Sequence, residues 1–315
     1  MNCFLGLDTS NYTTSVAAFD AETGVLWQVK QLLPVAAGKL GLRQCDAVFH
    51  HVRQLPELLE KLAADMGGAP QFEAIGVSDR PQQTENSYMP CFLVGEGAAR
   101  QQAAVLNKPL YRFTHQQGHV MAALYGSGSL EWRREPFLAF HVSGGTTDAL
   151  LVKPDKQTVI SCQRVAQSLD LKAGQLIDRV GGMLGLPFPA GPALERLATE
   201  GVGTVAVPRA SMNGASCHLS GVENQCRALL QKGTPPAEIA LFCLRTVQAA
   251  LECMTEVLLA EYGELPLLYA GGVMSNALLK EALTDRFGGR FAPPEYSADN
   301  AAGIAVLTAL VREGA

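Results

Sequence analysis

Charge is scarce in this sequence: Asp, Glu, Lys and Arg make up 17% of 315 residues. With hydrophobic residues at 48%, the scarcity excludes a disordered chain and leaves ample side chain for a sizeable core. No block of like charge occurs, and 25 basic against 30 acidic residues give a net charge of −5. Such a surface does not hold nucleic acid by charge alone, so an RNA partner requires a local patch or a second protein. No C-x-x-C pair occurs among the eight cysteines, which read as scattered buried thiols in a reducing compartment. No basic stretch leads into an apolar one at Met1–Asp8, which argues against a signal peptide. The apolar run Gly303–Val311 is too short to span a bilayer. These absences predict a cytoplasmic protein. The 31 glycines beside an ordinary 17 prolines predict tight turns, and the length predicts about two domains.

Two segments echo each other at an offset of 133. Phe4-Leu5-Gly6-Leu7-Asp8-Thr9-Ser10-Asn11-Tyr12-Thr13-Thr14 shares five of eleven positions with Phe137-Leu138-Ala139-Phe140-His141-Val142-Ser143-Gly144-Gly145-Thr146-Thr147. Each reads as strand, polar turn and strand, hence a hairpin, with Asp8 in the place of His141. Backbone N–H groups and hydroxyls in such turns make anion cradles, and glycine lets a phosphate approach the backbone. A third turn, Gly271-Gly272-Val273-Met274-Ser275-Asn276, follows the apolar strand Leu265–Ala270 and precedes a helix from Ala277. Two facing cradles in a duplicated α/β chain predict a nucleotide clamped between lobes, as in actin, hexokinase and the chaperone ATPases.

Helical spacing places Ile239, Phe242, Cys243, Val247, Leu251, Met254 and Leu258 on one buried stripe within Glu238–Tyr262. Leu169–Leu184 also reads as helical, and a last helix runs from about Asn300 to Arg312. His115 and His119 stand i, i+4, on one helical face, with Thr114 and Gln117 forming a capping box that puts His115 in the first turn. This is the spacing of a zinc-protease His pair, but Gln116-Gln117-Gly118 supplies no general-base Glu, which argues against metalloprotease chemistry. Asp299 is the carboxylate to pair with the histidines; its structural alternative is a helix cap. His50 and His51, beside Arg53, read as an exposed helix start, and His218 as isolated.

In this order, Gly6–Phe19, His115-x-x-x-His119, Val142-Ser-Gly-Gly145, Asp178 to Glu195, Ala270-Gly-Gly-Val-x-x-Asn276 and Asp299-Asn-Ala-Ala302 resemble the universal tRNA N6-adenosine threonylcarbamoyltransferases over nearly the whole chain. The resemblance implies a duplicated actin-like α/β fold of the sugar-kinase type, with lobes of 1–112 and 113–299 and the last helix packed back on the first. It implies a metal between the lobes, iron or zinc, held by His115, His119 and Asp299. It also implies a threonylcarbamoyl-adenylate donor, with N6 of the adenosine next to the tRNA anticodon as acceptor. His141–Gly145 would then hold the phosphate region, and Asp178, Gly191, Glu195 and Asn276 the adenosine and its ribose. Gly272 would border the adenosine slot. Some members carry a Tyr that reaches the metal where this chain has His141, so His141 is expected as a fourth ligand, the alternative being a buried histidine bonded to a carbonyl. Departures from the family pattern are Tyr12 and Thr13 in place of two acidic residues, and Leu171, Lys172 and Gln175 in its Asp-Asp-Ala-Ala-Gly-Glu segment.

The leading expectation is therefore metal-assisted transfer of a threonylcarbamoyl, or related carbamoyl or acyl, group from an adenylate to tRNA. A non-catalytic nucleotide-binding partner, or a paralogue with another acceptor, is the alternative; a small-molecule kinase of the same fold is a third. The expected partners are an adenine nucleotide, tRNA helped by other proteins, and a second actin-like subunit.

Overall fold

The computed structural model of the chain describes residues 2–10, 12–34, 42–68, 70–84, 87–297 and 301–314. Along the chain run β1 (Cys3–Asp8), β2 (Thr13–Asp20), β3 (Leu26–Leu32), α1 (Gln44–Asp65), β4 (Phe72–Arg80), α2 (Phe92–Leu106), β5 (Leu110–Thr114) and α3 (His115–Gly126). Then come β6 (Phe137–Val142), β7 (Thr147–Asp155), β8 (Val159–Gln167), α4 (Ala173–Met183), α5 (Gly191–Ala198), β9 (Ser211–Asn213), β10 (Ser216–His218), α6 (Ser220–Gln231) and α7 (Pro236–Tyr262). Last are β11 (Leu267–Ala270), α8 (Ala277–Phe287), β12 (Arg290–Phe291), α9 (Pro294–Ser297) and α10 (Ala302–Glu313).

Two five-stranded sheets carry the same order, β3-β2-β1-β4-β5 and β8-β7-β6-β11-β12. In each, the central strand pairs antiparallel with its hairpin partner, β1 with β2 and β6 with β7, and parallel with a later strand, β4 or β11. The duplication read at offset 133 is thus a duplication of topology. It extends to single rungs: Asp8 pairs with Ser15, and His141 with Asp148.

The chain divides into two compact units, Met1–Glu135 with Lys153–Cys162 and Glu295–Ala315, and Pro136–Val152 with Gln163–Pro294. The division falls after Glu135, where the sequence reading placed a boundary at 112, so α3 counts with the first unit. In that unit Leu5, Leu7, Val16, Ile75 and Val77 pack one sheet face against Leu55, Leu58 and Leu62 of α1 and Ala99 and Ala103 of α2. On the opposite face lies α10, whose residues Ala302–Ala309 are all buried, as expected for a helix apolar all round. Helices α3 and α10 touch backbone to backbone: a Cβ on Gly303 would fall on the Gly118 carbonyl oxygen.

In the second unit the α7 stripe anticipated from spacing is wholly buried, against Leu138, Phe140 and Val142 of β6 and Leu176, Ile177 and Val180 of α4. Helix α4 starts at Ala173 and not at Leu169. Residues 169–171 are held out of the helix: the Leu169 N–H donates to the Cys217 carbonyl, and the Asp170 carboxylate accepts from the Leu171, Leu219 and Ser220 N–H groups. Six cysteines are buried, Cys253 is half-buried and Cys45 exposed, all as free thiols. No helix among the described residues is long and apolar enough to cross a membrane.

Candidate functional site

In the first unit, Asp8 closes β1 at the centre of its sheet and is 1% exposed. Its Oδ1 accepts from the Ser10 N–H at 2.7 Å, and its Oδ2 lies 2.6 Å from His115 Nδ1. Burial works against the ionised carboxylate, but the His115 ring and the Ser10 donors outweigh it and hold the Asp8 pKa below its ordinary value. His115 opens α3, where Thr114 and Gln117 form the expected capping box. One turn on, His119 Nε2 stands 2.8 Å from His115 Nε2, and the Phe92 ring meets His115 edge-on at 6.2 Å.

Two ring nitrogens at that separation either share one proton or converge on one cation. The pair therefore fits a transition metal, for which imidazole is a suitable donor. Among the described residues no set of three His, Cys, Asp or Glu side chains forms a metal-holding group. Asp299, the carboxylate expected beside the pair, lies outside the described residues, and the α10 cap is Ala301. His141 stands at the end of β6 in the second unit, half-buried, on the same rung as Asp148. Burial pushes the Asp148 pKa up, against the pull of Arg164 and Lys172.

The first turn is not a copy of the second. Thr9 is fully buried; its hydroxyl donates to the Cys91 carbonyl and accepts from the Gly95 N–H, so it anchors the start of α2. Tyr12 and Thr13 stand where the family pattern has acids, and Thr13 lies in the β2–β3 ladder opposite Leu32.

His51 corrects the expectation of an exposed helix start. It is fully buried, its Nδ1 lies 2.8 Å from the Thr14 hydroxyl, and that hydroxyl donates to Gln54 Oε1. The α1 helix begins seven residues earlier, at Gln44, which turns position 51 inward against β2. Burial lowers its pKa to about 4 against a weaker pull from Asp8, so the ring is neutral at pH 7.

The residues expected around a nucleotide all lie in the second unit. The turn Ser143–Gly145 leaves the end of β6, and the Ser143 hydroxyl accepts from the N–H groups of Gly145 and Thr146. Helix α4 holds the turn from beneath, with Ala173 N–H donating to Thr147 Oγ1 and Gly174 N–H to the Ser143 carbonyl. Only glycine fits at 174, where a Cβ would lie 2.6 Å from the Gly144 nitrogen. Gly271, at φ +101°, passes so close to the Val142 carbonyl that a Cβ there would overlap it. A Cβ on Gly272, by contrast, would meet nothing within 4 Å.

Hydrogen bonds fix the expected nucleoside-contacting residues in place. Asp178 Oδ1 accepts from Ala190 N–H, next to Gly191 at the start of α5. Glu195 Oε1 accepts from Ala277 N–H at 2.6 Å, and the Asn276 side chain caps α8 through Leu279 N–H. Behind the α8 start lies a cavity of about 150 Å³ lined by Leu241, Leu244, Arg245, Gln248, Leu278 and Leu279. The Ser143–Gly145 turn and the Gly271–Asn276 turn leave the carboxyl ends of the parallel strands β6 and β11, where open α/β sheets bind ligands.

Two repeated sheets of this order, each with a hairpin turn at its central strand, define the class: an actin-like, sugar-kinase-like α/β protein. Solved structures of that fold align along the chain. A ROK hexokinase from Thermus thermophilus does so with a TM-score of 0.51 and 19% identity, covering 99% of this chain and 100% of that one. The HypF protein of T. kodakarensis gives a TM-score of 0.59 and 13% identity, with 99% of this chain and 47% of that one covered. The family is narrower than the fold. A family model described as tRNA N6-adenosine threonylcarbamoyltransferase matches residues 45–306. The protein of that name from Methanopyrus kandleri is 30% identical over 321 residues, 98% of this chain and 87% of the relative. Its counterpart from Bacillus licheniformis is 30% identical over 317 residues, 96% and 89% respectively. The chain belongs to the tRNA N6-adenosine threonylcarbamoyltransferase family, whose members modify tRNA with a threonylcarbamoyl group.

Sequence reasoning left Asp8 out of the candidate site. The signal was available: the offset of 133 aligns Asp8 with His141, a position the same reading had already singled out.

Proposed function

We propose that the chain transfers the threonylcarbamoyl group from its mixed anhydride with adenylate to N6 of the adenosine next to the tRNA anticodon. The N6 amine attacks the acyl carbon; the new C–N bond forms, the C–O bond to phosphate breaks, AMP leaves, and the amine gives up one proton to solvent. The observation that supports this reading is the pair of turns, Ser143–Gly145 and Gly271–Asn276, at the ends of the parallel strands β6 and β11, the second followed by Ala277, whose N–H donates to Glu195, in a chain of this family.

The residues divide the work by chemistry. The Ser143 hydroxyl accepts two backbone N–H groups and has its own proton to donate to a phosphate oxygen, which stabilises the charge that grows on the leaving AMP. The backbone at Gly272 leaves open the space that a nucleoside needs. Glu195 and Asn276 orient the start of α8, and Asp178 the start of α5. His115, His119 and Asp299 would hold a divalent transition metal, zinc or ferrous iron. When bound, such a metal supplies Lewis acidity toward a carbonyl or phosphate oxygen.

The test incubates the protein with threonylcarbamoyl-adenylate and unmodified tRNA, with and without the partner proteins of its source cell, and digests the tRNA to nucleosides. N6-threonylcarbamoyladenosine above the no-enzyme level supports the reading. AMP binding without product under every condition replaces it with the non-catalytic nucleotide-binding alternative.

A further inference from the structure

We propose that Asp8 is a positioning residue for the His115/His119 pair: its carboxylate keeps the Nδ1 proton on His115 and leaves Nε2 as the ligating nitrogen. The proposal rests on the metal reading given above and deepens it.

Three features make Asp8 a fixed acceptor. It ends β1, the central strand of its sheet, paired with Ser15 of β2 and directly after Leu7, which pairs with Val77 of β4. Both its oxygens have partners, Ser10 N–H at 2.7 Å and His115 Nδ1 at 2.6 Å, so the carboxylate cannot rotate without losing one. At 1% exposure, water is not at hand to replace either.

An ionised carboxylate only accepts, so the proton between the two groups belongs to His115 Nδ1. In a neutral ring the lone pair then resides on Nε2, the atom that stands 2.8 Å from His119 Nε2. The capping box fixes the backbone of His115, and the Phe92 edge limits rotation of its ring. An imidazole held this way by a carboxylate is a better oriented and more basic ligand, and losing such a partner typically weakens metal binding about 10–100-fold. The equivalent strand end of the second unit carries His141 opposite Asp148, so only the first unit places a carboxylate there.

The experiment compares wild type with Asp8→Ala, Asp8→Asn and Asp8→Glu. Long-range proton–nitrogen NMR on the metal-free protein reads the His115 tautomer. Zinc affinity is measured by chelator competition, and the cobalt(II)-substituted protein gives the absorption signature of the site. The expected wild type is Nδ1-protonated. Asp8→Ala should move His115 toward the Nε2-protonated form and weaken zinc binding about 10–100-fold. Asp8→Glu, which keeps a carboxylate, should recover most of that loss. If Asp8→Ala does not fold, Asp8→Asn, of the same shape, carries the comparison. An unchanged tautomer and unchanged zinc affinity in the variant that folds would overturn the proposal. A wild type that binds no zinc, but whose His115 tautomer still shifts in Asp8→Ala, would remove the metal reading and leave the orienting role standing.

Discussion

Replacing Gly174 with alanine sets a methyl group 2.6 Å from the Gly144 nitrogen and 2.7 Å from Gly144 Cα and the Ser143 carbonyl carbon. All three are backbone atoms, so no side chain can swing aside. To restore ordinary contact the turn must retreat by roughly 0.8 Å, which stretches the 3.2 Å bond from Gly174 N–H to the Ser143 carbonyl. Overpacking of this kind costs about 1–3 kcal/mol, while alanine in a helix returns about 1 kcal/mol relative to glycine. The net loss is about 0–2 kcal/mol. Gly182→Ala is the control on the same helix, because a Cβ there meets nothing within 4 Å; it should gain up to about 1 kcal/mol. The two identical substitutions should thus differ by about 1–3 kcal/mol, or roughly 2–12 °C in melting temperature. Calorimetric titration with AMP should also separate them. A turn displaced from α4 loses at least one charge-assisted hydrogen bond, so Gly174→Ala should bind about tenfold or more weakly. If Gly174→Ala melts with or above Gly182→Ala and binds AMP as wild type does, the turn is not seated on α4 as described.

Other expectations follow from the same geometry. The folded pKa of His51, about 4, lies below the ordinary 6.5, so the unfolded chain binds more protons between those values. Urea stability should therefore fall as pH drops from about 6.5 to 4, and the slope should be shallower in His51→Leu; an identical slope would show that His51 is not the group responsible. Gly272→Val, which projects a side chain into open space at the start of the third turn, should abolish AMP binding measured by calorimetry; unchanged binding would clear Gly272 of any part in the nucleoside site. His119→Ala should lower the metal content and affinity of the purified protein; unchanged content and affinity would take the histidine pair out of any metal site. With a net charge of −5, the isolated chain should bind tRNA weakly and lose that binding steeply with salt, and tight salt-insensitive binding would contradict this.

The elements that sequence made legible are those whose signal is local. The α7 stripe needs only a 3.6-residue period, and the capping box at Thr114 only four neighbouring residues. The duplication was legible because Phe-Leu and Thr-Thr recur at one offset around matching turns, and both hairpins stand at the centre of their sheets. What stayed hidden depends on partners distant in sequence. His51 is buried because β2 presents Thr14 to α1, an interaction spanning 37 residues. Asp8 meets His115 across 107 residues, and nothing near either position announces the other. Leu169–Lys172 carries helical residues, yet the Cys217 carbonyl takes the Leu169 N–H, and the N–H groups of Leu219 and Ser220 hold the Asp170 carboxylate.

The packing of α3 on α10 has a consequence for the order in which the chain can mature. Helix α3 lies backbone to backbone with a helix that begins at Ala302, and Gly118, whose carbonyl leaves no room for a side chain at 303, adjoins His119. At a synthesis rate of about 5–20 residues per second, the ribosome needs roughly 10–40 s to travel from one to the other. During that interval the second unit's residues, up to Pro294, have all been made, while the first unit still lacks the helix that covers one face of its sheet. The second unit can therefore begin to fold before the last helix exists, and the histidine pair acquires its final support only when that helix arrives.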